Sequence, residues 1–307
     1  MDCHLPSGSF KLRGMSHLIK TCIETKSHNS FIASSGGNAG IAATYACCQF
    51  NVPLHVFLPM TTPQKVLEKL RKIYPNEENL KITQSGANWN EADQLARETC
   101  KSNPKAKYIN PFDDPLLWEG HSSLVQEMKE QLEHRSSSLT PDLIVCSVGG
   151  GGLYNGIRLG LRKAYGENPG NKIPVLAIET IGCDSLNLAV KNKQKGYKLP
   201  AITSKATSLG SLIASNQSYE EYFSTNSFSS TVTDQECFSC MKEFAINERV
   251  LIEPACAASV AAVDTEEKLR KVCENWESEI GKVEFDEIKT VVIEVCGGNL
   301  VDAYYDL

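Results

Sequence analysis

Apolar and polar positions along the chain fall into two kinds of run that alternate. Short, mostly apolar stretches predict strands: "SFIAS" (30–34), "PLHVFLP" (53–59) and "LKITQ" (80–84). Each is followed by a longer stretch with helical character: "NAGIAATYACCQF" (38–50), "TTPQKVLEKLRKI" (61–73) and "NWNEADQLARETCKS" (88–102). Thr62 is placed to cap the second of these, with Pro63 at its first helical position. Further along, "SSLVQEMKEQLEH" (122–134) and "DQECFSCMKEFAINE" (234–248) read as helices. "DLIVCSV" (142–148), "VLAIE" (175–179) and "TVVIEVC" (290–296) read as continuous apolar strands, as in a sheet covered on both faces. Strands alternating with helices imply an α/β fold with largely parallel sheets covered by helices. In "PFDDP" (111–115) two prolines bracket two turn-forming aspartates. That turn predicts a division into a smaller domain, 6–113, and a larger one, 114–307.

The chain has 307 residues, enough for two domains of ordinary size. A net charge of -6 speaks against an extended nucleic-acid surface. No apolar run is long enough to span a bilayer, and the start lacks the pattern of a signal peptide. A cytoplasmic protein without nucleic-acid or membrane partners is expected. The 12 cysteines are scattered, and Cys237 and Cys240 form a C-x-x-C with no second ligand pair. They read as core or surface thiols. The 6 histidines form no H-E-x-x-H.

Chemistry concentrates at strand ends, where open parallel sheets bind ligands. "SSGGNAG" (34–40) follows the first strand, "GGGGLYNG" (149–156) follows "DLIVCSV", and "CGGN" (296–299) follows "TVVIE". Successive glycines between a strand and a helix let the backbone aim several N–H groups at one anion, and the helix start adds more. The alternative is a tight turn with no ligand. G-x-G-x-x-G fails in every register here, and no Gly-Lys-Ser/Thr follows. A small phosphorylated cofactor fits better than a dinucleotide. Lys11, in the small-residue stretch "SGSFKLRG" (7–14), supplies an amine. A lysine together with a phosphate cup suggests pyridoxal phosphate.

The motifs "PSGSFKLRG", "SSGGNAG", "PFDDPLLWEGHSS", "SVGGGGLYNGI", "ATSLG", "EPACAAS" and "CGGN" together resemble the pyridoxal-phosphate L-serine/L-threonine dehydratases. These are two-domain enzymes of fold type II, the tryptophan synthase β-like fold. The resemblance covers about residues 2–299 and is strongest to the fungal catabolic and animal liver enzymes. It implies that Lys11 is the Schiff-base lysine and that Phe10 packs on the cofactor ring. It implies that Asn38 bonds the ring's 3′-oxygen and that Gly149, Gly150, Gly151, Gly152 and Leu153 form the phosphate cup. Cys296 would face the pyridine nitrogen, where a neutral thiol favours prompt loss of a β-substituent. Ser34, Ser35, Gly36 and Ala39 would receive the substrate carboxylate. Glu179, Cys183 and Ser185 match a region that binds a monovalent cation such as K+, or else Glu179 caps a strand-to-helix turn. Gly36 stands where some relatives carry alanine, which implies extra space beside the cofactor. A homodimer acting on a small amino acid is implied.

This sequence also departs from the family pattern. Relatives carry a strand before the lysine motif and a helix after "CGGN", and Asn299 stands where serine is usual. Two readings follow: an active dehydratase releasing pyruvate from serine and 2-oxobutanoate from threonine, or a shortened, weak or silent remnant that retains the cofactor site. A racemase or a β-replacement synthase is a minor alternative.

Overall fold

The computed structural model describes residues 1–136 and 139–299. The chain divides into two compact units: His4–Gly120, and Met1–Cys3 with the chain from His121 onward. The division falls after Gly120 rather than after Asp113. Leu117 is fully buried in the core of the first unit. The Trp118 indole N–H donates to the Phe112 carbonyl at 2.8 Å, and a Cβ on Gly120 would meet the Arg13 carbonyl oxygen at 2.5 Å. The segment after "PFDDP" is therefore packed against its own unit.

The first unit runs α1 (Lys11–Glu24), β1 (Ser30–Ala33), α2 (Asn38–Phe50), β2 (Leu54–Leu58), α3 (Gln64–Ile73), β3 (Leu80–Gln84), α4 (Trp89–Lys101), β4 (Ala106–Tyr108) and α5 (Pro115–His121). Its four strands are all parallel, in the order β3-β2-β1-β4, with Phe31 level with Leu54 and Lys107. The helix α1 forms because Met15, Leu18, Ile19 and Cys22 recur at helical spacing and bury one face. Asn88 caps α4 by accepting the Glu91 N–H at 3.2 Å. Thr62 does not cap α3. Pro63 occupies the cap position itself, with extended backbone and no side-chain cap.

The second unit runs α6 (Ser123–Arg135), β5 (Leu143–Ser147), α7 (Gly152–Tyr165), α8 (Glu167–Lys172), β6 (Val175–Thr180), α9 (Ser185–Lys191), α10 (Asn216–Ser224), β7 (Ser227–Val232), α11 (Asp234–Glu248), α12 (Pro254–Ala261), α13 (Glu266–Glu274) and β8 (Val291–Ile293). Its strands are again parallel, in the order β7-β6-β5-β8, with Ile144 level with Val175 and Val292. Every residue of β5 and β6 is buried, as their unbroken apolar runs predict. The strand β8 is shorter than "TVVIEVC" suggested and only half-buried, because it lies at the sheet edge and pairs with β5 alone.

Both sheets therefore share one plan, in which the first strand of the unit has the second on one side and the fourth on the other. Chain order reverses at β1 and at β5. The loops leaving those two strands lie at the topological switch points, where open α/β sheets bind ligands. Among the described residues no helix is long and apolar enough to cross a membrane.

Candidate active site

In the first unit, β1 ends at Ala33 and the loop Ser34–Gly37 leads into α2. A Cβ on Gly40 would overlap the Ser35 carbonyl oxygen, so the first turn of α2 folds directly onto this loop. The backbone N–H groups at the head of a 13-residue helix suit an anion such as a carboxylate. Ser34 and Ala39 are buried, and Ser35, Gly36 and Asn38 are half-buried. The Ser34 hydroxyl is committed elsewhere. It donates to Asp93 Oδ1 at 2.6 Å, and Tyr108 OH also donates to that oxygen. Arg97 Nε donates to the other Asp93 oxygen at 2.7 Å, and the Trp89 indole N–H donates to the Ser34 carbonyl at 2.7 Å. Burial raises the Asp93 pKa, but hydrogen bonds from Arg97, Ser34 and Tyr108 outweigh it and hold the carboxyl below its ordinary range. Ser34 thus offers an anion its backbone rather than its hydroxyl. Asp93, Tyr108 and Trp89 carry no motif, and sequence reasoning passed over them.

Gly36 does not open space in the way expected from alanine-bearing relatives. A Cβ there would meet Val66 Cγ1 at 2.9 Å and Leu58 Cδ2 at 3.2 Å, so it points into the packing of α3 and β2.

Lys11 opens α1, and its Nζ donates to the Pro111 carbonyl at 2.6 Å and lies 5.0 Å from the centre of the Phe10 ring. The "PFDDP" segment is a turn that carries this carbonyl. Asn110 Oδ1 accepts the N–H groups of Phe112 and Asp113, and Asp114 pairs with Lys107 at 2.8 Å and accepts the Leu116 N–H. The Asp114 carboxylate is turn and capping chemistry.

In the second unit, β5 runs through Val148 into Gly149, Gly150 and Gly151, and α7 begins at Gly152. Gly151 has φ +92°, a left-handed conformation that side chains rarely adopt, and a Cβ there would overlap Ser218 Oγ. A Cβ on Gly149 would meet the Leu209 Cα at 3.0 Å, in the "ATSLG" segment. This turn is a cradle that side chains would fill, at the head of a 14-residue helix, and it fits a phosphate. The fully buried Arg158 locks α7 to the sheet by donating to the Ile173 carbonyl at 2.8 Å and to Ser227 Oγ at 2.6 Å.

Cys296 is buried just beyond β8, and its N–H donates to Cys256 Sγ at 3.1 Å. The hydrogen bond with Cys256, together with burial, raises its pKa well above the ordinary thiol value, so it is a neutral thiol at pH 7. Glu179 is the penultimate residue of β6, and its two oxygens accept the Leu186 and Asn187 N–H groups at 2.9 and 2.6 Å, so it caps α9. Burial outweighs those donors and pushes its pKa up to about 8. Cys183 and Ser185 are also buried, and Ser185 Oγ makes no hydrogen bond. Cys237 and Cys240 are buried on α11 with pKa values pushed up to about 12, as core thiols are. Among the described residues no three acidic, cysteine or histidine side chains are grouped to hold a metal.

A family model described as "Pyridoxal-phosphate dependent enzyme" matches residues 1–297. The L-serine dehydratase/L-threonine deaminase of Mus musculus is 40% identical over 299 residues, covering 97% of this chain and 84% of that protein. The catabolic L-serine/threonine dehydratase of Saccharomyces cerevisiae is 36% identical over 310 residues, covering 97% and 81%. Among solved structures, a fungal L-serine ammonia-lyase from Rhizomucor miehei superposes with a TM-score of 0.83 at 28% identity, covering 99% of this chain and 88% of that one. A cradle for phosphate, an amine at the head of α1 and these matches lead to one conclusion: the chain belongs to the pyridoxal-phosphate-dependent enzymes of fold type II.

Proposed function

We propose that this enzyme is an L-serine ammonia-lyase that converts L-serine to pyruvate and ammonia, and L-threonine to 2-oxobutanoate. The observation that carries the reading is local to the first unit. Lys11, held at Nζ by the Pro111 carbonyl, belongs to the same unit as a loop and helix start suited to an amino-acid carboxylate. The names of the relatives, at 36–40% identity, support the same substrate class.

Pyridoxal phosphate, when bound, supplies the aldehyde that takes up an amine and the conjugated ring that accepts electrons from Cα. The Gly149–Leu153 turn would hold its phosphate, Asn38 its 3′-oxygen, and Phe10 one face of its ring. Lys11 Nζ, once its amine is free, takes the Cα proton of serine as general base. The Ser34–Ala39 backbone fixes the carboxylate and thereby the direction of the Cα–H bond. The β-hydroxyl leaves as water with a proton equivalent to the one Lys11 removed from Cα, and the enamine released becomes an imine that hydrolyses to pyruvate and ammonia. The neutral Cys296 thiol leaves the pyridine nitrogen without the carboxylate that would keep it protonated. That weakens the electron sink and favours elimination over long-lived carbanions.

A monovalent cation at Glu179, Cys183 and Ser185 belongs to this reading, and the buried Ser185 Oγ without a hydrogen bond supports it. A homodimer in the cytoplasm is the assembly and compartment that go with it.

The test is L-serine added to purified protein with pyridoxal phosphate. Pyruvate and ammonia in equal amounts are expected, and neither is expected from Lys11→Ala. D-serine as the main product would replace the reading with a racemase, and no product of either kind would remove it.

A further inference from the structure

Three uncharged side chains stand behind the glycine turn of the second unit. Asn155 lies in the first turn of α7, and Ser215 and Ser218 lie at the head of α10. Their exposures are 2%, 4% and 0%. Asn155 Nδ2 donates to Ser215 Oγ at 3.0 Å, and Asn155 Oδ1 accepts from Ser218 Oγ at 2.8 Å. The two hydroxyl oxygens lie 2.8 Å apart. The Ser218 proton is used on Asn155, so Ser215 donates in that pair, and the three groups close a ring in which each hydroxyl donates once. Ser215 Oγ also accepts the Ser218 N–H at 3.2 Å, which caps α10.

This ring meets the glycine turn at two consecutive residues. The Ser215 N–H donates to the Gly150 carbonyl at 3.0 Å. Ser218 Oγ fills the space a Cβ on Gly151 would need. Glycine runs have the most conformational freedom to lose, and N–H groups bind an anion well only if they are already aimed. The three clamp side chains themselves carry no charge.

We propose that Asn155, Ser215 and Ser218 are positioning residues for the phosphate-binding turn, setting its affinity for the cofactor's phosphate group without touching the reacting atoms. This rests on the reading of the turn as the phosphate cup.

The test compares pyridoxal 5′-phosphate with pyridoxal, which lacks the phosphate, by titrating each into cofactor-stripped full-length protein and following absorbance. In Asn155→Ala the affinity for pyridoxal phosphate is expected to fall about tenfold or more, with pyridoxal affinity nearly unchanged. Asn155→Asp, which adds negative charge, is expected to lose more, again only toward the phosphorylated ligand. Ser218→Ala is the milder variant if the Asn155 variants do not fold, with a smaller loss of the same kind. Equal loss for both ligands, or no loss for either, overturns the clamp. Wild-type protein that binds both ligands equally well overturns the cup itself, a result distinct from any variant's behaviour.

Discussion

The loop after β1 is tied to α4 and β4 through a carboxylate, with Asp93 gathering the Ser34 and Tyr108 hydroxyls and the Arg97 guanidinium. The loop after β5 is tied to α10 through an amide and two hydroxyls. The two loops occupy equivalent switch points in sheets with the same strand order. At each, a glycine's missing Cβ lets backbone or hydroxyl close in, Gly40 of α2 against Ser35 and Gly151 against Ser218. Identical topology therefore leaves the means of fixing the loop open. A charged buttress titrates, whereas a neutral one does not.

The comparison breaks most visibly at those glycines. Gly40→Ala and Gly151→Ala are each expected to cost about 3 kcal/mol, by overlap in the first case and by overlap plus left-handed backbone in the second. Chemical denaturation would measure this. Gly151→Ala should also abolish tight pyridoxal phosphate binding. If both variants retain stability, close approach is not what shapes these loops.

Asp93→Ala comes next, with an expected loss of about 2 kcal/mol, because it strands buried donors from Ser34 and Tyr108. Its kinetic signature is a higher KM for serine with kcat less affected. An unchanged KM would separate the network from the proposed carboxylate role of the Ser34–Ala39 segment.

Buried acids sharpen the contrast through pH. The Asp93 pKa is lowered, so its contribution is present above the ordinary value of 3.8 and is lost as pH falls through its lower folded value. The Glu179 pKa is raised from 4.5 to about 8, so its contribution is full below 4.5 and is lost as pH rises through about 8. Stability measured against pH should flatten on the acid side in Asp93→Asn and between about pH 4.5 and 8 in Glu179→Gln. Asn155→Ala should leave the pH dependence as it is. A wild-type curve with no decline toward pH 8 would contradict the Glu179 assignment.

The smallest effect is expected at Gly37, where a Cβ would find nothing nearer than Ser35 Oγ at 4.0 Å. Gly37→Ala should stay within about 0.5 kcal/mol of wild type, in the same denaturation experiment.

Much of this was legible along the chain. The helices at 38–50 and 234–248 and the buried strands β5 and β6 follow the apolar pattern closely, because each element's own face decides its period. The strands β4 and β7 escaped notice. One is only three residues, "AKY", and the other, "SFSSTV", is largely serine, held by pairing with β6 rather than by apolar character. The Thr62 cap failed because Pro63 took the cap position, a choice between neighbouring residues that propensity does not resolve.

The sequence by itself determined the fold class and the family and marked the lysine and the glycine turn as candidates, because the motifs are written in consecutive residues and the fold class in the alternation of apolar runs. Tertiary structure alone decided what holds those residues in place. Ser34 meets Asp93 across 59 positions, and Asn155 meets Ser218 across 63. Hydrogen bonds at such separations depend on where parallel strands deliver their helices. Local pattern carries no record of that delivery.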